Sequence, residues 1–452
     1  MKTKVALTIG GHDPSGGAGI GADLVTFAVL GVHGAAVATA LTYQNTRGVT
    51  GFWTVGVREL KAQLDAVLED IAVGAVKVGM LASEGVAHTV APYLARFKEA
   101  RIPVVFDPVY RAGAGQPLFE GVADKIFADM VLPYASVITP NTLELAALIG
   151  EEPAQNIGDL RTQVRVYHGR YNGPVLATGG HIPYPGDIVD VLFTGGDMRE
   201  YRRRRAPGDV HGTGCLLAAA ITAYFAAGVD LLTAAERAED YVTAALGGAY
   251  AIGRDALVPE RTAAVFYDAE RWRVFTNLQR AVKVFESGVN TYKLLPEVGT
   301  NIAYALPDAR AVADVCAVPG RIVRVVDAVR AFGPPAFGGS GHMARAVIAV
   351  MRHDPDVRAV MNVRYGDDII AACRALGYRV ASFDRGEEPP AGGEEEGQTV
   401  SWGVERAITA AGAVPEVIFD RGAPGKEPMV RILGTDAVEV VRRAIAISRR
   451  LT

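Results

Sequence analysis

Short apolar blocks recur through the first half of the chain, at 5–9, 33–41, 76–81, 103–109 and 136–141, and each closes on Gly, Pro or polar residues. β-Branched and aliphatic residues fill these blocks, and helical spacing follows them. That alternation predicts an α/β fold, a mostly parallel sheet with helices on its faces. Ligands in such sheets collect beyond the carboxyl ends of the strands, so the polar residues closing each block are the first place to look for chemistry. A helical stretch from 231 to 252 leads into a polar segment at 253–261, and a new apolar helix face follows at Val274, Leu278, Ala281, Val282 and Phe285. Strand patterns at 321–329, 359–364, 378–383, 416–420 and 429–433 alternate with helical ones, so the second half also reads as α/β. Two domains are expected, 1–258 and 268–452, the second being smaller. The acidic loop at 386–397 fits neither pattern and is expected to be mobile or to border an entrance.

Composition narrows the class. The chain has 452 residues, 50% hydrophobic and 21% charged, which favours a well-buried globular protein over disorder. A net charge of -4 gives no basis for a nucleic-acid or anionic-membrane partner. The run Arg202-Arg203-Arg204-Arg205 is a local exception, expected on an exposed edge strand as a solvated face. Three cysteines, Cys215, Cys316 and Cys373, are odd in number and widely spaced. They make neither a disulfide framework nor a metal cluster, and a reducing, cytoplasmic compartment is expected. The first apolar run is too short for a signal-peptide core, and no stretch approaches the ~20 apolar residues of a membrane span.

One stretch carries more chemistry than the rest. Gly208-Asp209-Val210-His211-Gly212-Thr213-Gly214-Cys215 runs straight into an alanine-rich segment with no helix breaker before Gly228. Free N–H groups at Gly212, Thr213 and Gly214, with the helix dipole behind them, make an anion site. Cys215 falls in the first helical turn, where a thiol ionises more easily than in water. The same pattern also fits a tight turn before a buried helix with Cys215 as a small core residue.

Other candidates lie at strand ends. The spacing at 10–24, GGHDPSGGAGIGADL, is not that of a dinucleotide fingerprint, which leaves a turn whose backbone and Asp23 can line a pocket. Gln44 offers one acceptor and two donors in a plane, a match for the ring nitrogen and amine of an aminopyrimidine. Asp107, Asn141 and Glu144 are expected to face the same crevice, where carboxylates can hold Mg²⁺ beside nucleotide phosphates, although each also fits an ordinary helix cap. In the second half, the Gly-Gly-Ser-Gly-His turn ending at His342 is another candidate anion site, with Arg321 beside it. Surface ion pairs explain Arg and His at strand ends equally well.

The first half resembles the hydroxymethylpyrimidine/phosphomethylpyrimidine kinases of thiamine biosynthesis, within the ribokinase-like superfamily. The resemblance rests on GGHDPSGGAGIGADL (10–24), ALTYQNTRGV (40–49), VKVGML (76–81), FDPV (106–109), ITPNTLEL (138–145), GGH (179–181) and HGTGC (211–215), collinear over about residues 4–255. It implies two successive ATP-dependent phosphorylations, of an aminopyrimidine alcohol and then of its monophosphate. It implies substrate binding by Gln44, Gly11, Asp23 and Met80, and an anion hole with ATP contacts at Gly212, Thr213, Gly214 and Asn141. Asp107 and Glu144 are implied for the Mg²⁺ network, and Cys215 stands where many superfamily members have an Asp base. Three positions depart from the pattern. Thr178 stands where the family usually has a Lys before Gly-Gly-His, a contact that an Arg of the 202–205 run or the metal can replace. Tyr43, for a smaller residue, is expected to narrow the pocket, and Leu216 replaces a usual Thr.

From about 270 to 452 the chain resembles the archaeal-type thiamine-phosphate synthase domain. LPEVGTN (295–301), VPGRIVR (318–324), SGHMAR (340–345), MNVRY (361–365), EGQTVSWG (396–403) and FDRGAPGKEPMVRILG (419–434) carry the likeness. It implies coupling of hydroxymethylpyrimidine diphosphate to hydroxyethylthiazole phosphate, giving thiamine phosphate and pyrophosphate. Arg321 and His342 are the implied catalytic residues, with Arg345, Asn362, Arg364 and Lys426 as further phosphate or substrate contacts. Small-molecule substrates, no nucleic-acid or membrane partner and a homodimer are expected. The alternative is a pyridoxal-type kinase fused to a non-catalytic thiamine-phosphate-sensing domain.

Overall fold

A computed structural model describes residues 4–112, 115–182, 186–206, 208, 210–387 and 398–451. Residues 388–397 of the acidic loop, and Asp209 of the glycine-rich turn, lie outside the described residues. The chain forms two compact units, Met1–Val265 and Phe266–Thr452.

In the first unit nine strands make one sheet: β1 Val5–His12, β2 His33–Asn45, β3 Gly48–Thr54, β4 Ala75–Val78, β5 Val104–Phe106, β6 Val137–Ile138, β7 Val175–Ala177, β8 Ile188–Phe193 and β9 Met198–Arg203. Their spatial order is β9-β8-β7-β6-β5-β4-β1-β2-β3. β2, β1, β4, β5, β6 and β7 run parallel, and the pairs β2–β3, β7–β8 and β8–β9 are antiparallel. The parallel strands are buried on both faces, which is why their sequences read as unbroken apolar blocks rather than alternating ones.

Eight helices cover the sheet: α1 Gly19–Val29, α2 Val57–Asp70, α3 Glu84–Glu99, α4 Ala123–Met130, α5 Thr142–Ile149, α6 Ile157–Tyr171, α7 Thr213–Ala226 and α8 Leu231–Gly247. One face of the sheet buries Leu7, Ile9, Val76, Val78 and Phe106 against α2, α3 and α6, and the other buries Val105, Val137 and Leu176 against α7 and α8. α7 is buried continuously from Leu216 to Ala223, and its alanines let it lie close to α1, α8 and the sheet at once. Its N-terminus therefore has one fixed direction, towards the carboxyl ends of β1, β4 and β5. The arginine run falls on and just beyond the edge strand β9, but it is not uniformly solvated. Arg203 is 7% exposed and pairs with Asp190 and Glu239.

The second unit has a seven-stranded sheet, formed by β10 Ile302–Ala305, β11 Val315–Ala317, β12 Ala336–Phe337, β13 Ala359–Arg364, β14 Val380–Ser382, β15 Val417–Asp420 and β16 Met429–Gly434. In the order β12-β11-β10-β13-β16-β15-β14 every pairing is antiparallel except β14–β15. Helices α9 Ala263–Glu286, α10 Gly341–Met351, α11 Asp367–Ala375, α12 Gln398–Ala411 and α13 Ala437–Ser448 belong to the same half of the chain. Alternation sorts the strands: Ile302 and Tyr304 pack with α9 residues Val274, Leu278 and Phe285, and Ala303 and Ala305 pack with Met343 and Val347 of α10.

Two expectations for this half need correction. The pattern at 321–329 is not one strand of the sheet but a separate hairpin, Ile322–Val325 with Ala328–Ala331. Val326 at its turn has φ 56, which reverses the chain where β-branched residues predicted continuation. Three strands, β10, β11 and β12, went unread because they are only four, three and two residues long. Among the described residues no helix is long and apolar enough to cross a membrane.

Candidate functional sites

The carboxyl ends of β1, β4, β5, β6 and β7 meet the N-terminus of α7 around a cavity of about 590 Å³. That volume suits a small molecule with its phosphates. Its wall includes Gly11, Asp23, Gln44, Met80, Asp107, Asn141, Glu144, Gly212, Thr213, Gly214 and Cys215, so every candidate of the first half reaches one space. They converge because each sits just past, or opposite, the end of a parallel strand.

Gly212 caps α7 at φ 85, and among the described residues no side chain hydrogen-bonds to the helix start. A Cβ at Gly212 would lie 1.9 Å from the Gly17 carbonyl oxygen, so both the backbone angle and the close approach require glycine. The loop pressed against it is pinned from two sides. Arg261 Nη2 donates to Gly17 O at 2.5 Å, while Asp13 accepts from Ser15 N, Ser15 Oγ and Ala18 N at 2.8, 2.7 and 2.9 Å. Burial works against the Asp13 carboxylate, but His211 and Ser15 hold its pKa below the usual value.

Beneath the α7 amides lies a buried ionic group. Lys77 is 1% exposed, and its Nζ donates to Asp23 Oδ1 at 2.7 Å and lies 3.8 Å from Asp107 Oδ2. Asp23 Oδ2 accepts from Thr8 Oγ1 at 2.6 Å. Burial alone would neutralise Lys77, but the charges around it, Asp23 foremost, raise its pKa and keep it protonated. Burial raises Asp107 despite Lys77, and raises Glu144 well above the usual range with Asp107 adding to the effect.

The Cys215 thiol also belongs to this group. Part of the residue is exposed, but burial of the thiol, with the charges of Asp107 and Asp23, pushes it up to about 12 against the opposing charge of Lys77. The expectation of an easily ionised thiol is thus reversed. The helix start is outweighed by burial beside two carboxylates, Asp107 and Asp23.

Asn141 and Glu144 form a capping box at α5: Asn141 Oδ1 accepts from Leu143 N and Glu144 N at 2.9 Å, and Glu144 Oε2 accepts from Asn141 N at 2.9 Å. They cap a helix and line the cavity at once. Gln44 is held by Thr42 Oγ1, which donates to its Oε1 at 3.1 Å, and by His211 Nε2, 2.8 Å from its Nε2. Tyr43 does not narrow the pocket. Strand alternation turns it away from Thr42 and Gln44 and leaves it 57% exposed. Beside Thr178, Arg205 donates to Gly180 O at 2.9 Å and Ile182 O at 3.3 Å and borders the cavity.

Sequence reasoning passed over Lys77, His211 and Arg261. The first carried a signal, a lysine at the centre of an apolar block, and the second lies inside the glycine-rich turn itself. Arg261 sits in the segment read as a boundary and gave none.

In the second unit His342 is the second residue of α10, whose N-cap is Ser340. Exposed by area, its ring is still held at about 4 by loss of water and by the charges of Arg431, Arg345, Arg385 and Arg321. Arg321 has φ 76 and donates through Nη1 to Val298 O, a strained backbone held by its neighbours. Asn362 is 8% exposed. Its Oδ1 accepts from Asn301 N at 2.7 Å and its Nδ2 donates to Gly299 O at 3.1 Å, so it shapes the loop that holds Arg321.

Arg364 donates to Lys293 O at 2.6 Å and to Asp368, whose Oδ2 is 2.5 Å from Nη2, so its guanidinium serves local contacts. Lys426 lies in the turn between β15 and β16, its backbone paired with Ala423. Arg385, noted among the polar residues between the strands, was given no role, and Arg431 was missed because only strand pairing brings it beside Asp420.

Comparison with known proteins follows the same division. The phosphomethylpyrimidine kinase family matches residues 13–259, and the family of thiamine-phosphate synthase ThiN matches residues 277–446. The bifunctional thiamine biosynthesis protein ThiDN of Methanocaldococcus jannaschii is 32% identical over 449 residues, 98% of this chain and 98% of that one. The thiamine-phosphate synthase ThiN of Methanothermobacter thermautotrophicus is 41% identical over 174 residues, 38% of this chain and 92% of that one. Among solved structures, an ADP complex of Bacillus subtilis pyridoxal kinase is 28% identical with a TM-score of 0.53, covering 59% of this chain and 100% of that one. Aligned from end to end with a two-domain relative, and in each half with one family, the chain belongs to the bifunctional ThiDN proteins, a phosphomethylpyrimidine kinase joined to a thiamine-phosphate synthase.

Proposed function

We propose that the first unit phosphorylates 4-amino-5-hydroxymethyl-2-methylpyrimidine twice at the expense of ATP. The second unit then joins the diphosphate to hydroxyethylthiazole phosphate, forming thiamine phosphate and releasing pyrophosphate. One observation carries the kinase reading: among the described residues the α7 amides have no side-chain cap, and they open onto the cavity that holds Gln44. Gln44 pairs with the aminopyrimidine edge, His211 and Thr42 setting its orientation.

The hydroxymethyl group lies at Cys215, and the amides of Thr213, Gly214 and Cys215 receive the γ-phosphoryl. A loose phosphoryl transfer asks little of a base, so positioning and charge neutralisation dominate. Cys215 is a neutral thiol, so it takes the hydroxyl proton late, as charge develops, and only as its own proton passes to the neighbouring Asp107 carboxylate. Lys77 keeps the floor of the site from accumulating negative charge. Arg205 takes the nucleotide phosphate contact that Thr178 does not provide.

Among the described residues no group of three or more His, Cys, Asp or Glu would hold a metal unaided. Asp107 Oδ2 is nonetheless buried with no hydrogen-bond partner, and Glu144 is short of positive charge, so both fit Mg²⁺ arriving with the nucleotide. There the ion would neutralise charge between the β- and γ-phosphates.

In the second unit Arg321 and His342 hold the diphosphate as its carbon–oxygen bond breaks, and neutral His342 adds a hydrogen bond without repelling Arg321. Supplying the full chain with the pyrimidine alcohol or with pyridoxal, each with Mg-ATP, tests substrate choice. Faster turnover of the pyrimidine supports Gln44 as its reader, and faster turnover of pyridoxal overturns it.

A further inference from the structure

At the carboxyl end of β15, Asp420 joins two guanidinium groups. Its Oδ1 accepts from Arg385 Nε at 2.6 Å and from Gly422 N at 2.9 Å. Its Oδ2 accepts from Arg431 Nη1 at 2.8 Å and from Arg385 Nη2 at 3.2 Å. Asp420 has no exposed surface, the Arg431 side chain is 2% exposed and that of Arg385 is 8% exposed.

Among the described residues two cations are answered by one anion, which leaves the cluster with an uncompensated positive charge where water screens it poorly. Tying β15 to β16 needs no such excess, and a buried ion network is a costly way to hold strands together when apolar residues serve as well. The charge is directed somewhere specific. Arg431 lies opposite Ile418 across β15 and β16, and Ile418 packs with Met343 and Val347 of α10, so the cluster borders the start of that helix. His342 there feels the charges of Arg431, Arg345, Arg385 and Arg321, and the buried Arg345 Nε has no partner of its own. Asp420 uses two nitrogens of Arg385 and one of Arg431, and each guanidinium has five N–H groups.

We propose that Asp420 is a positioning residue of the synthase: it fixes Arg385 and Arg431 so that their remaining N–H groups grip the diphosphate of the pyrimidine substrate beside His342 and Arg321. This rests on the synthase reading of the second unit. Asp420 does not touch substrate, since the two arginines stand between its charge and the phosphates. Its neighbours would otherwise swing apart by mutual repulsion, and misplacing a charged clamp by about 1 Å costs up to 100-fold in rate.

The test uses the full chain with Asp420→Asn, which keeps the volume and removes the charge. At saturating thiazole phosphate, the KM for the pyrimidine diphosphate is expected to rise about 10- to 100-fold while the KM for thiazole phosphate stays within about twofold. Inhibition by pyrophosphate should weaken in parallel, and the kinase rate should not change. Thermal unfolding followed alongside reports whether the second unit remains folded. If Asp420→Asn unfolds it, Arg385→Lys replaces it as the test, since lysine keeps the charge and loses the two-pronged contact; it should raise the same KM.

A folded variant with unchanged KM for the diphosphate and unchanged pyrophosphate inhibition overturns the positioning role. The synthase reading survives that result as long as the unsubstituted chain makes thiamine phosphate. No product from the unsubstituted chain overturns both.

Discussion

In the first unit the positive end of the site is backbone: uncapped amides of α7 above a Lys77 already answered by Asp23 and Asp107. In the second unit it is side chains, four guanidinium groups acting on His342, with Asp420 answering two of them. An amide cradle over a floor with no surplus positive charge grips a phosphoryl group in passage without holding it at the end. A surplus of arginine charge grips a diphosphate through bond cleavage, when its own negative charge grows. Two sites on one chain thus meet phosphate by different physical means, each suited to what the phosphate does next.

The sharpest way to break this contrast is at Cys215. Cys215→Ala is expected to lower kinase kcat by about 10²- to 10³-fold, the range for losing a positioned proton acceptor, and to leave the synthase rate unchanged. Near-normal kinase turnover would reduce the thiol to packing.

A smaller effect is expected at Arg205. Arg205→Ala should raise the KM for ATP by about tenfold, the scale of one charge-assisted hydrogen bond, with the KM for the pyrimidine alcohol unchanged. An equal rise in both would place Arg205 in loop packing instead.

The smallest signal is in pH. His342 sits at about 4 rather than 6.5, so it stays neutral as pH falls through the range where an ordinary imidazole gains its proton. Synthase kcat/KM, which reports the free enzyme, should therefore show no histidine break between pH 7.5 and about 5. A break near 6.5 would mean that the arginines do not act on His342 as a group.

What could be read from the sequence follows from how local each feature is. The turn at 208–215 was legible because glycine spacing and the apolar helix after it lie side by side in the chain. Asp107, Asn141 and Glu144 were legible because parallel strands place all their ends on one side. In the second unit, short apolar blocks do not encode strand direction. The same reading missed that the sheet is mainly antiparallel, and with it that Arg431 and Asp420, on neighbouring strands, meet. Arg364 was chosen from its motif, yet an acidic residue four positions on captures its guanidinium. The ease of ionising Cys215 was misjudged because a helix start is visible in sequence and a buried carboxylate 108 residues earlier is not.

The most direct test mixes two inactivated chains. With pyrimidine alcohol, ATP, Mg²⁺ and thiazole phosphate, Cys215→Ala alone should stall with the alcohol unused, and His342→Ala alone should stall with the pyrimidine diphosphate accumulated. Together they should restore thiamine phosphate, because each supplies the site the other lacks. Both variants stalling at the same intermediate, or a mixture that forms no product, would contradict two chemically distinct phosphate sites on one chain.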